Sequence, residues 1–400
     1  MAYYFLYPEK DTTIYSHPFR QDLNTGIVET LSLASEKGDT DNLYYPSRAL
    51  LKFKDSELND VLANKVLNNF SASLKLYATE YSKDLPTSQT IELYPLSQSW
   101  NNGTQRYLEH PYNNNVVSNG ASWLYRDNGT AKSSWGTITA NTTASLSGSL
   151  PVSGGIWYTG SGFESTQSIE IVNNFDLNFE ITSQIKKISS SIFASQTYPT
   201  GIPNNGFIIK REDDVFNNAA TQGILLKNID AVETNTSSSR GTLNYFSVDT
   251  HTIFSPTLII KWDDSSYSTG SNHNAVLDSG KIQLNVSNNK EKYRNTENPK
   301  FRLNTRKQYP TRTFTTSSNY LNINYLTTAS YYSIEDYTSK EIIIPFDTEF
   351  TKLSADSEGM YFSLDMQGLQ PERYYRLLIR HDNNDGIVIY DDDVFFKVIR

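Results

Sequence analysis

The stretch GTLNYFSVDTHTIFSPTLIIKWDD, Gly241–Asp264, carries two readings, and the choice between them decides the fold. Read as chemistry, it offers Asp249-Thr250-His251 and a pair of terminal carboxylates. Read as architecture, it is the closing part of a sheet. Neighbouring residues of a strand point to opposite faces, so Asp249 and His251 would share one face and Thr250 the other. Three adjacent residues therefore cannot converge as a triad, and nothing nearby marks a separate nucleophile. Ser247–Thr252 reads as a strand and turn before the last strand, Thr257–Trp262. Pro256 suits the first position of that strand, where its missing N–H costs no ladder bond. Leu258 and Ile260 share one face, Ile259 and Lys261 the other, and Asp263-Asp264 end the domain. The stretch is expected to be structural.

The rest of the chain repeats this pattern. Short alternating runs lie between clusters of Asn, Gly, Ser, Asp and Pro: ASLKLYATE (Ala72–Glu80), SIEIVNNFDL and GFIIKRE. Many short strands at such spacing predict sandwiches or barrels. Helical periodicity is confined to Asp55–Phe70, where Leu58, Val61, Leu62, Val66 and Leu67 form a stripe and Asp55 or Ser56 is placed to cap it. From about 101 to 163 the chain is rich in Ser, Thr, Asn and Gly, and four of its five tryptophans, Trp100, Trp123, Trp135 and Trp157, fall between positions 100 and 157. These positions predict long sandwich loops anchored by indole rings. A second reading lines a sugar-binding groove with the same four side chains, since an exposed ring can pack on a ligand.

Composition bounds the function. The chain has 400 residues, 37% hydrophobic and 13% aromatic, with 27 Tyr, enough for more than one domain with cores of its own. The formal charge is −9 and no basic run exceeds two residues, which speaks against a nucleic-acid surface. Cysteine is absent, so neither disulfides nor thiolate chemistry arise. The opening MAYYFLYPEKDTTIYS is too short in apolar residues for a signal-peptide core, and no run reaches the roughly 20 apolar residues of a membrane helix. If the protein works outside a cell, something other than a standard signal is expected to carry it there, and release by lysis as part of a particle is one such route.

The stretch Asp263–Gly280, DDSSYSTGSNHNAVLDSG, reads as a linker, placed at residues 266–280. Beyond it, in residues 281–400, seven strand-like runs recur: KIQLNVS, KFRLNTR, NYLNINYL, EIIIPF, GMYFSLDM, RYYRLLIRH and DDVFFKVI. Their number and rhythm predict an immunoglobulin-like sandwich. Within it, GLQPERYYRLLIR places Leu369, Pro371 and Tyr375 at a spacing similar to the tyrosine corner of fibronectin type III domains, with Tyr375 on the inward face of Leu377 and Ile379.

Candidate chemistry is sparse. His17, His110, His251, His273 and His381 show no metal-ligand spacing. HDNNDGIVIYDDD suggests a calcium loop, but its first and last ligand positions are wrong for an EF-hand, and Asp385-Gly386 reads instead as a hairpin turn before Ile387–Tyr390. No cofactor is expected. A structural calcium at Asp263 and Asp264 remains the one metal alternative.

The order of DTTIYS (Asp11–Ser16), RALLKFKDSEL (Arg48–Leu58), ASLKLYATE, SQSWNNGT, ASWLYR, SSWG, PNNGFIIKRE (Pro203–Glu212) and YFSVDTHTIFSPTLIIKW resembles the DNRLRE-type jelly-roll modules, relatives of one class of carbohydrate-binding modules. The resemblance covers roughly residues 1–265. It implies an all-β chain: an N-terminal jelly-roll sandwich at 1–265, then the immunoglobulin- or fibronectin-III-like sandwich at 281–400. The combination with a second sandwich, no Cys and a Tyr/Asn/Ser/Thr-rich surface resembles virion proteins of tailed phages, marine ones among them. That implies a non-enzymatic structural protein of the particle, at the neck or tail, present in several copies and held by other virion proteins, with no nucleic-acid or membrane partner. A polysaccharide-binding, adhesive module is the alternative. A polysaccharide lyase stands behind both, and it would need His251 beside a Tyr and an Arg in one cleft.

Overall fold

Alternating apolar and polar residues become strands through most of the described residues, and the protein is all-β. The computed structural model describes residues 2–17, 19–37, 44–65, 69–81, 88–106, 119–136, 142–144, 153–170, 175–188, 201–212, 241–269, 275–310 and 323–400. Two compact units emerge. One comprises Leu6–Ala63 and Ala72–Leu258, the other Met1–Phe5, Asn64–Ser71 and Ile259–Arg400. The division thus falls at residues 258–259, and two short earlier segments group with the C-terminal part of the chain.

The first unit is a jelly-roll sandwich. Its larger sheet has eight strands, in the order Ser165–Glu170, Ser88–Pro95, Phe207–Arg211, Tyr44–Phe53, Thr30–Lys37, Gly241–Phe246 and Ala78–Tyr81, with Pro8–Tyr15 also paired to Tyr44–Phe53. Every described pairing in this sheet is antiparallel. Phe207–Arg211 is buried at all five positions, as a central strand covered on both faces should be. Ser88–Pro95 instead alternates, with Gln89, Ile91, Leu93 and Pro95 inward. ASLKLYATE does not form one strand. It runs as Phe70–Leu76 and Ala78–Tyr81 about Tyr77; Ser73–Leu76 pairs with Leu177–Glu180, while Ala78–Tyr81 joins the larger sheet.

Helix is scarce. Asp55–Asp60 is α-helical and continues as a π-helical turn over Val61–Lys65, burying Leu58, Val61 and Leu62. Neither Asp55 nor Ser56 caps it. Lys54 holds the N-cap position without a side-chain bond, and Asp55 lies in the first turn, where the helix dipole favours a carboxylate. Val66 and Leu67 lie outside the described residues. A second helix, Thr182–Ile188, was not legible from periodicity; it buries only Gln184 and Ile185.

Within residues 275–399 of the second unit, the described strands form two sheets. The first orders Ala275–Leu277, Asn324–Leu326, Lys300–Lys307, Gly359–Ser363 and Ser354–Asp356, with Ile282–Val286 paired to Lys300–Lys307. The second orders Lys292–Arg294, Phe395–Ile399, Tyr374–Asn383, Ser330–Asp336 and Ile342–Ile344, with Gly386–Tyr390 paired to Tyr374–Asn383. Rings from the two inner faces meet: Tyr332 stacks on Phe362 with centroids 4.3 Å apart, and Phe301 lies 5.5 Å from Phe396. Sheet-on-sheet packing of this kind defines an immunoglobulin-like sandwich. The stretch read as a linker is knit into it. Ala275–Leu277 pairs in parallel with Asn324–Leu326, and the Tyr267 hydroxyl donates to the carbonyl of Leu326 at 2.6 Å.

Candidate functional site

The four tryptophans of the polar middle region are interior residues. Trp100, Trp123, Trp135 and Trp157 are between 2% and 6% exposed. They pack with Ile14, Leu50, Leu96, Ala121, Ile156 and Ile208 in one cluster. Two indole N–H groups are spent on backbone: Trp100 donates to Asn205 O at 2.9 Å and Trp135 to Ser122 O at 3.2 Å. Between Trp123 and Trp157 lies the fully buried guanidinium of Arg48, 4.5 Å and 5.2 Å from the two ring centroids, donating also to the Gly154 carbonyl. Gly154 is required there. Its φ is +73°, and a Cβ would fall 2.6 Å from the Arg48 Nη1 and 2.7 Å from the Trp123 ring. A groove of exposed, coplanar indoles is therefore corrected to a cation-filled core. A flat, delocalised guanidinium can enter such a site because two ring faces replace part of its hydration.

Asp249 and His251 are not on a strand. The strand Gly241–Phe246 ends before them, and Ser247–Thr250 is a turn closed by Thr250 N to Ser247 O at 3.2 Å. The turn hangs on Asp11, whose carboxylate accepts from the Ser247 hydroxyl at 3.1 Å and the Val248 amide at 2.8 Å. Burial pushes the Asp11 carboxyl up to about 7 although both hydrogen bonds oppose the shift. His251 is exposed, and among the described residues no hydrogen bond or ion pair joins it to a tyrosine or an arginine. His110 and His273 lie outside the described residues.

Among the described residues no three His, Asp or Glu side chains gather as a metal-binding group. Asp263 accepts from the Ser265 amide at 2.8 Å, a turn role. The loop that resembles a calcium site is a two-residue hairpin turn at Asn384-Asp385, with Asn383 opposite Gly386 and Gly386 at φ +128°.

Tyr375 has the geometry of a tyrosine corner. Its buried ring lies 5.7 Å from Phe396, and its hydroxyl donates to Gln370 O at 2.9 Å. Leu369 is buried beside the 3₁₀ turn Met366–Gly368, and Pro371 is half-buried at the corner itself.

The residue before that tyrosine opens the candidate site. Tyr374 points out of the sheet, and with Tyr337 and Phe395 it forms an exposed aromatic patch, each ring 42–46% exposed. Phe395 bridges the other two, 5.9 Å from Tyr337 and 6.4 Å from Tyr374. Cations lie over the outer rings: Lys340 at 4.6 Å from the Tyr337 centroid, Lys397 at 5.6 Å from that of Tyr374. Ion pairs rim the patch, with Lys397 2.5 Å from Glu372, Arg376 bridged to Asp391 and 3.5 Å from Asp393, and Lys340 3.6 Å from Glu335.

Two further features fix this surface. Asp336 holds the turn that carries Tyr337, accepting from Thr338 N, Ser339 N, Ser339 Oγ and Arg373 Nε. Burial alone would raise that carboxyl, but Arg373 and Ser339 hold it down at about 2. Second, the described non-glycine residues with positive φ are Glu291 (64°), Lys340 (61°), Glu372 (66°) and Asp393 (57°). All four border the patch: three belong to its rim, and the Glu291 carbonyl accepts from the Lys397 amide. Left-handed backbone at non-glycine residues is uncommon and gathers where a surface is held for use.

Alternation in YYRLLIRH and DVFFKVI already sends Tyr374 and Phe395 outward and Tyr375 and Phe396 inward. What the sequence does not show is that Tyr337, from a turn far along the chain, completes the set.

Fold and patch together define a two-unit all-β protein with an exposed aromatic contact face. No protein-family model matches the chain, and no curated protein does. Among solved structures, the binding domain of botulinum neurotoxin serotype C1 aligns over 93% of this chain and 94% of its own, at 8% identity and a TM-score of 0.15. A superposition at that score carries no argument about fold or function.

Proposed function

We propose that this protein works by contact rather than by chemistry, as a structural component of a tailed-phage particle, held in several copies at the neck or tail. The observation that carries the contact reading is the patch of Tyr337, Tyr374 and Phe395. Rigid aromatic rings surrounded by a charged rim have the anatomy of a protein–protein interface, with a desolvated centre and a polar edge. Sandwiches supply stiff faces on which such a patch keeps its shape, and copies repeated around an axis would present it symmetrically. A polysaccharide-binding role would have to use residues other than the four tryptophans, whose faces are taken up by Arg48, Lys10 and one another's neighbours.

Immunogold labelling of purified particles is the direct test, with label expected at the neck or tail. Absence of the protein from particles would overturn the assignment. The double variant Tyr374→Ser/Phe395→Ser should remain folded and fail to enter particles; normal incorporation would remove the patch from the interface.

A further inference from the structure

The strand Gly386–Tyr390, GIVIY, is apolar on both faces and, among the described residues, paired along one edge only. It pairs antiparallel with Tyr374–Asn383, from Asn383 opposite Gly386 to Ile379 opposite Tyr390. Along that longer strand the amides of even-numbered residues turn towards Ser330–Asp336, as Asp382 N to Ala329 O shows. Those of odd-numbered residues turn the other way, as Leu377 N to Val394 O shows. Gly386, Val388 and Tyr390 therefore spend their backbone groups on the long strand, and Ile387 and Ile389 direct theirs outward. The next row of the sheet is filled alongside Phe395–Ile399 by Lys292–Arg294. Alongside Gly386–Tyr390, no described strand occupies it.

Ile387 is 64% and Ile389 55% exposed. Natural edge strands are usually blunted by lysine, proline or a bulge, and this one carries none of these. Its ends are acidic. Asp385 precedes it and Asp391, Asp392 and Asp393 follow, with Arg376 the cation that meets Asp391 and Asp393.

We propose that this edge accepts an extended segment of a different protein, apolar along its length and basic at its ends, as an added β-strand. Outward N–H and C=O groups supply the main-chain ladder, the isoleucine side chains the apolar contact, and the terminal carboxylates the polarity of choice. A second copy of this chain suits the edge poorly. Antiparallel pairing about a two-fold axis at Val388 would set Asp385 against the second copy's equivalent of Asp391, and like charges directly opposite are destabilising. The edge would serve in this way whether or not the protein belongs to a particle.

The test uses the full chain and a fluorescent synthetic peptide of alternating valine and threonine with two lysines at either end. Titration by anisotropy should show saturable binding, and a glutamate-flanked version should bind about tenfold or more weakly, the gap closing as salt screens the flanks. Ile389→Pro removes an outward N–H without touching the ladder to the long strand, so circular dichroism and melting should hold while binding is lost. Asp385→Lys/Asp392→Lys, both at exposed positions, should invert the preference between the two peptides. The proposal fails if the wild-type protein does not bind the lysine-flanked peptide, if both peptides bind equally, or if Ile389→Pro binds as before. Concentration-dependent self-association that Ile389→Pro abolishes would assign the edge to a second copy and overturn the stated partner.

Discussion

Two aromatic clusters in this molecule have opposite fates. In the jelly-roll unit, Trp100, Trp123, Trp135 and Trp157 lie in a region crowded with Ser, Asn and Gly and are buried. In the C-terminal unit, Tyr337, Tyr374 and Phe395 belong to a regular sheet and its turns and stay exposed. Local polarity would assign them the other way round. The indoles go inside because they pack with Ile14, Leu50 and Ile208 and because Arg48 gives the faces of Trp123 and Trp157 a cation to enclose. The sheet rings stay outside because strand alternation leaves every second position to solvent, while Tyr375 and Phe396 take the inner face.

The indole cluster tolerates substitution least. Trp123→Ala should cost about 3–5 kcal/mol, because it opens a cavity and strips one ring from a buried guanidinium. Urea unfolding of the variant against the wild type measures this. A cost below about 1 kcal/mol would mean that the cluster is no core, since surface changes fall in that range.

The buried carboxyl of Asp11 sharpens the same contrast through pH. Its folded proton affinity is raised, so the native state holds a proton that the unfolded chain gives up. Stability therefore falls as pH rises from about 4, the unfolded value, to about 7, and stays lowered above it. Asp11→Asn removes a charge that burial penalises. It should gain on the order of 2–4 kcal/mol relative to wild type at pH 8, the difference vanishing towards pH 4. Melting curves across that range decide it, and a gain independent of pH would refute the assignment.

Adjacent tyrosines give a smaller and cleaner contrast. Tyr375→Phe removes the hydroxyl bonded to Gln370 O and should cost about 1–3 kcal/mol. Tyr374→Phe, one residue away on the outer face, should change stability by less than about 0.5 kcal/mol. Equal costs in chemical denaturation would mean that the two rings are not on opposite faces.

The smallest stability effect is expected at the patch. Phe395→Ser should leave unfolding within about 0.5 kcal/mol of wild type, because the residue stands on the outer face and is already 42% exposed. Its consequence belongs to assembly. A large loss of stability would show that the ring supports the fold rather than a partner.

Much of this was legible in the residues. Period-two patterning marked Thr257–Trp262, Phe207–Arg211 and Tyr374–Asn383, and placed Tyr375 inward. Ser330–Asp336, by contrast, lies between two partners at the middle of its sheet, yet SYYSIED carries too many polar residues to read as a central strand. Its Ser333 hydroxyl and Asp336 carboxylate are buried only because Ile344 O, Ser339 and Arg373 are there to receive them. No local pattern reveals such partners. The run after Phe246 misled in the same way: its residues suit a strand, but Asp11, over two hundred positions earlier, ties them into a turn.

What the sequence determined by itself was therefore the all-β class, the sandwich rhythm of the C-terminal part and the inward or outward sense of side chains along regular strands. These depend on a residue's immediate neighbours, and side-chain alternation is a property of the extended chain alone. Only the tertiary structure decided that Trp123 and Trp157 enclose Arg48, that Tyr337 completes an exposed patch, and that no described strand pairs with the outer edge of Gly386–Tyr390. Each depends on which distant segment arrives alongside, because burial and pairing are settled between segments rather than within them.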